Sequence, residues 1–332
     1  MTSLATPEVA PASPARRRRT RLNIRDRRAN RALKWLAFLG GALVVLAMFG
    51  IAYQIIRGAA PAFDRYGFSF LGHKVWNPTQ SQFGAWPFIY GTLVTSLSSL
   101  VLATLIGVSI GLFLSLMAPR QIAAVVGPLV EMLAAIPSVV VGLLGIGLVS
   151  PFILHHVMPW LHSAFGFIPL FGEPQGVGNS IFTASLVLTI MVVPIIAALS
   201  RDLFMTVPSE LRDGAEALGA TRWEMIRGVV LPTTSSGVIA ACVLGFGRAL
   251  GEAIAVSQVI GNNPVSPVNW FKGGDTLAAV LALQYPNPVT NLHTSALLYL
   301  AAILFVFGLI VNLLARQISS GIGTMGAFGT LK

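Results

Sequence analysis

The sequence predicts an all-α integral membrane protein with about six transmembrane helices, on three observations. Hydrophobic residues make up 55% of the chain, charged residues only 10%, and the mean hydropathy is +0.76, outside the mixture of a soluble domain. Apolar runs of about twenty residues recur along the chain, the length needed to cross a hydrocarbon layer of about 30 Å. Charge is confined: ten of the 22 Lys and Arg lie before residue 35, and seven charged side chains crowd into residues 207–232. A net charge of +10 spread over a folded face would suit nucleic acid, but this charge is not spread, so no nucleic-acid partner is expected. Cys242 sits alone inside an apolar run, which excludes an internal disulfide.

Residues 1–33 join a Pro/Ala/Ser stretch to a dense arginine block and read as a mostly disordered cytoplasmic tail. Its basic residues suit a positive-inside anchor leaning on anionic lipid better than a nucleic-acid arm or a twin-arginine export signal. Residues 34–57 hold the first span, with Trp35 and Tyr53 near its ends, where interfacial aromatics sit. The run is longer than a secretory apolar region of about 7–15 residues, so it reads as an anchor rather than a cleaved signal. Residues 58–88 are polar and aromatic and read as an external loop.

A five-helix core is expected over 89–316. The second span covers 89–117 and returns at Pro119-Arg120-Gln121. The third run, 122–148, contains Glu131 and the kink-prone Ile136-Pro137-Ser138. A proline there frees a carbonyl that protein or water must satisfy, so the run bends against protein. Residues 150–179 are expected to form a second external loop with an interfacial turn at Met158-Pro159-Trp160. No Cys, Asp or Glu lies at ligand spacing from His155, His156 and His162, so they are not read as a metal site. Spans four to six are expected at 180–199, 235–260 and 294–315, followed by a cytoplasmic tail over 317–332. Six spans put both termini on one side, and the Lys/Arg count, seventeen on the assigned cytoplasmic segments against four outside, agrees with the positive-inside rule.

The charged island between spans four and five, within a loop at 201–233, reads as two short helices. The first starts after Pro208-Ser209 and stops near Gly219. The second opens on a capping box, Thr221-Arg222-Trp223-Glu224, and ends at Leu231-Pro232. The whole would form a rigid elbow along the membrane.

Asp213-Gly214-Ala215, Gly219 and Val229-Val230-Leu231-Pro232 resemble the EAA coupling loop of binding-protein-dependent ABC importer permeases, with Asp213 for the usual Glu and Gly214 for the first Ala. Ala217-Leu218-Gly219-Ala220-Thr221-Arg222-Trp223-Glu224 and Gly247-Arg248-Ala249-Leu250-Gly251-Glu252 are similar to its phosphate-specific branch, the latter to the PstC-type subunit. The strings around Phe83-Gly84, Pro87-Phe88-Ile89, Val130-Glu131 and Ile136-Pro137-Ser138-Val139-Val140 resemble the same subunit, and together the likeness covers roughly 75–316. It implies a type I ABC importer permease fold in the plasma (inner) membrane. It also implies translocation of inorganic phosphate, a PstA-type second permease, an ABC ATPase dimer of ATP-binding subunits, and an external phosphate-binding protein. Glu210, Asp213, Gly214, Ala215, Glu216, Gly219, Trp223, Leu231 and Pro232 would then meet the ATPase. Independently, the chain contains no G-x-x-x-x-G-K-[ST] loop, so it is expected to be no enzyme, to carry no cofactor and to draw energy from a partner. Permeases for another oxyanion or a phosphonate, and an ion channel or secondary transporter, stand as alternatives.

Arg248 and Glu252 are four apart, so on one continuous helix they would share a face, about 6 Å apart along the axis, near the middle of the fifth span. Charges there are costly unless they face protein or water, which makes them pathway candidates. Arginine offers paired donors to an oxyanion. A carboxylate beside it accepts the proton that monohydrogen phosphate carries and sulfate lacks, a basis for rejecting sulfate. The competing reading is a self-neutralising pair that only stabilises packing. Glu131 is expected to counter Arg248 or to line the same pathway.

Overall fold

In hydrocarbon every backbone N–H and C=O must find its partner inside the segment, which leaves long apolar runs little choice but helix. The computed structural model describes the backbone of residues 14–174 and 176–328, with side chains over 29–314 (175 apart) and at 317. Residues 1–13 of the expected tail and 329–332 lie outside the described residues. Thirteen α-helices and no strand occur among the described residues. Six stretches are long and apolar enough to cross a membrane: Ala29–Leu71, Trp86–Met117, Ser138–Phe165, Ile181–Met205, Arg222–Gly251 and Asn291–Leu314. The expected number of spans holds, while the third and fifth move.

The chain divides into two units, residues 1–54 and 55–332. Helix α1 (Pro14–Tyr66) begins inside the stretch expected to lack structure, and the described part of the first unit is helical throughout.

In the second unit, the end of α1 leads into a 3-10 turn, Gly67–Leu71, and a tight hairpin closed by an Asn77–Gln82 bridge. Phe70 stacks on Tyr299 at 4.4 Å, and Phe83 stacks on the His293 ring at 5.4 Å. Gln284 Oε1 accepts from Trp76 Nε1 at 3.0 Å and also meets His293 Nε2 at 3.1 Å. Segment 67–85 is therefore a packed aromatic cap.

Helix α2 (Trp86–Leu112) ends in a π-turn, Phe113–Met117. The third apolar run then breaks, because the residue before a proline resists the helical conformation and Pro137 has no N–H to continue the ladder. Helix α3 (Arg120–Ala134) stops there, and α4 (Ser138–Leu144) starts afresh with Pro137 as its flanking residue. From α4 the helix runs on through π-turns at Gly145–Val149 and Ile153–Val157, which frame α5 (Ser150–Phe152), into α6 (Met158–Phe165). The third span is thus Ser138–Phe165, and residues 150–165, expected in an external loop, belong to it. Pro151 and Pro159 are tolerated because each follows a π-turn, at a first-turn position where the missing N–H matters least.

Helix α7 (Ile181–Met205) is the central span: 67% of its most apolar window is buried, against 22% for each of the other spans after the first. Small residues let its neighbours approach. Gly107 and Gly111 of α2 lie against Ile196 and Ser200 of α7, and Ser98 Oγ donates to Ser185 Oγ at 2.9 Å.

Candidate functional site

After Pro208 the chain turns into α8 (Ser209–Ala217). Ala215 faces inward onto a buried cluster of Phe204, Val207, Met225, Ile226 and Val230, while Glu210, Asp213, Gly214 and Glu216 are exposed. Gly219 stops the helix at φ +87°, a left-handed conformation open to glycine without steric cost. Its N–H donates to Glu216 O at 2.9 Å, and Ala220 N donates to Ala215 O at 3.1 Å, so these two carbonyls near the end of α8 are satisfied. The capping box forms as expected: Glu224 N donates to Thr221 Oγ1 at 3.3 Å and Thr221 N to Glu224 Oε2 at 2.8 Å. Leu218 and Trp223 stand out at the bend, 91% and 63% exposed.

The second arm does not stop at Leu231-Pro232. Helix α9 (Arg222–Met225) passes through a π-turn, Ile226–Val230, into α10 (Leu231–Gly251), and the whole stretch Arg222–Gly251 is the fifth span. The wider turn shifts the hydrogen-bond register just before Pro232, where an unbroken α-ladder would clash with the ring and lose a donor. The elbow is therefore a short helix hinged at Gly219 onto the start of a membrane helix.

The fifth span ends earlier than expected. Backbone at Glu252 is extended (φ −72°, ψ 113°), and a separate short helix, α11 (Ile254–Val259), follows. Arg248 and Glu252 therefore do not share a helix face. Glu252 Oε1 instead accepts from Ala255 N at 3.3 Å, capping α11. Among the described residues no ion pair joins the two, which removes the reading of a self-neutralised pair. Arg248 is exposed and borders a cavity of about 50 Å³ lined by Leu133, Ala134, Ile136, Val141, Ile190 and Met191. The cavity joins one cationic donor fork to otherwise apolar walls.

Glu131 does not counter Arg248. It pairs with Arg201 of α7, Nη2 to Oε1 at 2.7 Å. The sequence does not single out Arg201, because its partner lies 70 residues away. Asp275 also escapes a reading of the sequence. It precedes α12 (Leu277–Gln284), is 1% exposed, and accepts Thr276 N at 2.8 Å. Burial pushes its carboxyl up to about 7. A lone acid in the string Gly273-Gly274-Asp275-Thr276 is the only signal the sequence offers. Beyond it, α13 (Asn291–Phe328) carries the sixth span.

Residues 103–323 match the family described as binding-protein-dependent transport system inner membrane component. The chain belongs to that family. Among curated relatives of this permease, the phosphate transport system permease protein PstC of Pasteurella multocida (strain Pm70) is 41% identical over 82% of this chain and 86% of its own. PstC 1 of Mycobacterium tuberculosis (strain ATCC 25618 / H37Rv) is 36% identical over 87% and 92%. Among solved structures, a chain of a bacterial alginate ABC transporter, in complex with an alginate pentasaccharide-bound periplasmic protein, aligns with TM-score 0.55 at 18% identity, covering 86% of this chain and 95% of that one. A chain of the inward-facing MetNI methionine ABC transporter aligns with TM-score 0.50 at 16% identity, over 70% and 94%. At such identity the likeness concerns the fold alone: this permease is a multi-pass, all-α membrane protein with the type I ABC importer permease fold.

Proposed function

We propose that this chain is a permease subunit of an ATP-driven importer that carries inorganic phosphate across the plasma (inner) membrane. The observation that carries the reading is the 41% identity to a phosphate transport system permease over most of both chains. Arg248 at an otherwise apolar cavity supports it from the chemistry. The chain pairs with a PstA-type permease, and both termini, including the basic segment 1–33, are cytoplasmic. The elbow docks on an ABC ATPase dimer, where ATP is hydrolysed, and an external phosphate-binding protein delivers the cargo.

Glu210, Asp213, Gly214, Glu216, Leu218 and Trp223 form the exposed docking face, while Ala215, Leu231 and the Gly219 hinge fix its geometry. Arg248 binds the anion. Glu252, at the break of the span, accepts the proton of monohydrogen phosphate, and sulfate, with no such proton, meets lone pair against lone pair.

The test is uptake of radiolabelled phosphate at low external concentration by cells lacking this chain, with and without the restored wild type. Uptake restored by the wild type and not by Arg248→Ala supports the reading. Equal uptake in all three strains sinks it.

A further inference from the structure

The broken third apolar run leaves α3 a separate helix with little of its surface buried within the chain. Of its fifteen residues only Gly127 is buried. What lies over Gly127 is the Arg201 guanidinium: a Cβ at position 127 would collide with Arg201 Nη1. The same guanidinium reaches Glu131, one turn further on, and its own neighbour Asp202, Nη2 to Oδ1 at 3.0 Å and Nε to Oδ1 at 3.3 Å. Asp202 thereby orients the donor fork while Glu131 takes its shortest bond. The Arg201 side chain is 17% exposed and that of Glu131 50%, so the guanidinium is largely covered while the carboxylate stays half open to water.

Position in the chain gives this pair its meaning. Glu131 lies two and three residues before Leu133 and Ala134, which form part of the wall of the Arg248 cavity. Arg201 lies eight residues before Ser209, where the elbow helix α8 begins. We propose that the Arg201–Glu131 pair is a latch that carries movement of the elbow, through the end of α7, to α3 and so to the wall of the Arg248 cavity. Glu131 is then a positioning residue rather than a ligand of the transported anion. The role of Gly127 follows: it is the absence of a side chain there that lets the latch close flat on α3.

The inference rests on the proposed phosphate-importer function, and the experiment separates the two. The assembled importer, with its permease partner, ATPase and binding protein, is reconstituted in proteoliposomes, and phosphate uptake and ATP hydrolysis are measured together. Glu131→Gln, close in shape, and Gly127→Ala, which removes no charge but displaces the guanidinium, each lower phosphate moved per ATP about tenfold, with the KM for phosphate within about twofold of wild type. The exchange Glu131→Arg with Arg201→Glu keeps opposite charges at the two positions, with Asp202 still beside them, and restores coupling to within about threefold.

Unchanged coupling in both single variants overturns the latch. So does a rise in KM of about tenfold at constant kcat, the signature of a substrate ligand, or an exchange variant that assembles normally yet stays uncoupled. If Glu131→Gln does not assemble, Gly127→Ala carries the test by itself. Wild type that moves no phosphate removes the functional reading and the latch with it, whereas wild type that transports alongside unaffected variants removes the latch alone.

Discussion

Two glycines on the elbow make opposite demands on the same substitution. Gly214 and Gly219 are both exposed, and a Cβ added at either meets nothing within 4 Å. Steric crowding therefore plays no part, and only backbone conformation separates them. Gly214 lies within α8, where alanine in place of glycine stabilises a helix by about 0.5–1 kcal/mol. Gly219 has φ +87°, where an L side chain costs roughly 1–2 kcal/mol. The two alanine variants should thus differ by about 2 kcal/mol in the stability of the elbow, a factor of about thirty in the population of its present geometry. The assay is ATP hydrolysis by the assembled complex, stimulated by loaded binding protein, with limited proteolysis of the elbow as a conformational readout. Gly219→Ala should lose stimulation and become sensitive to cleavage, while Gly214→Ala keeps both at wild-type level or better. Wild-type behaviour of Gly219→Ala, or equal loss in both variants, would refute the hinge.

Further outcomes follow from the same geometry. Gly91→Ala should destabilise the protein by about 2 kcal/mol or more, because the new Cβ drives into the Asp275 carbonyl where Leu277 N also donates to Thr92 Oγ1 at 2.9 Å; a melting curve in detergent checks it. Asp275 has its folded-state pKa raised from 3.8 to about 7, so the folded protein holds that proton more tightly than the unfolded chain. Its contribution to stability is greatest below pH 4 and is lost as the pH rises through about 7, amounting to no more than about 4 kcal/mol. Asp275→Asn, which keeps an acceptor for Thr276 N, should raise the melting temperature at pH 8 and leave it nearly unchanged at pH 4; an equal shift at both would rule out titration as the cause. Glu252→Gln should let sulfate compete with phosphate uptake, and continued exclusion of sulfate by this variant would dismiss the proton-acceptor role.

Much of this was legible because local rules decide it. The six spans come from apolar length, the Gly219 stop from a glycine following a polar helix, and the Thr221/Glu224 box from its spacing. What escaped the sequence depends on tertiary or register effects. Pro137 announced a bend, but hydropathy could not say that the helix after it, rather than the run around it, crosses the membrane. Pro232 signalled a stop that a π-turn made unnecessary. The apolar text continues through residue 260, so the break at Glu252 leaves no trace in hydropathy, and with it goes the helical spacing that would put Arg248 and Glu252 on one face. The partner of Glu131 is invisible to any local rule, since Arg201 stands 70 residues further on.

The most direct test of the proposed function is phosphate accumulation in sealed proteoliposomes that hold this chain with its permease and ATPase partners, with binding protein outside and ATP inside. Accumulation against the gradient that requires ATP and is abolished by Arg248→Ala is the predicted result. Phosphate that equilibrates without ATP, or accumulates equally well with Arg248→Ala, would contradict it.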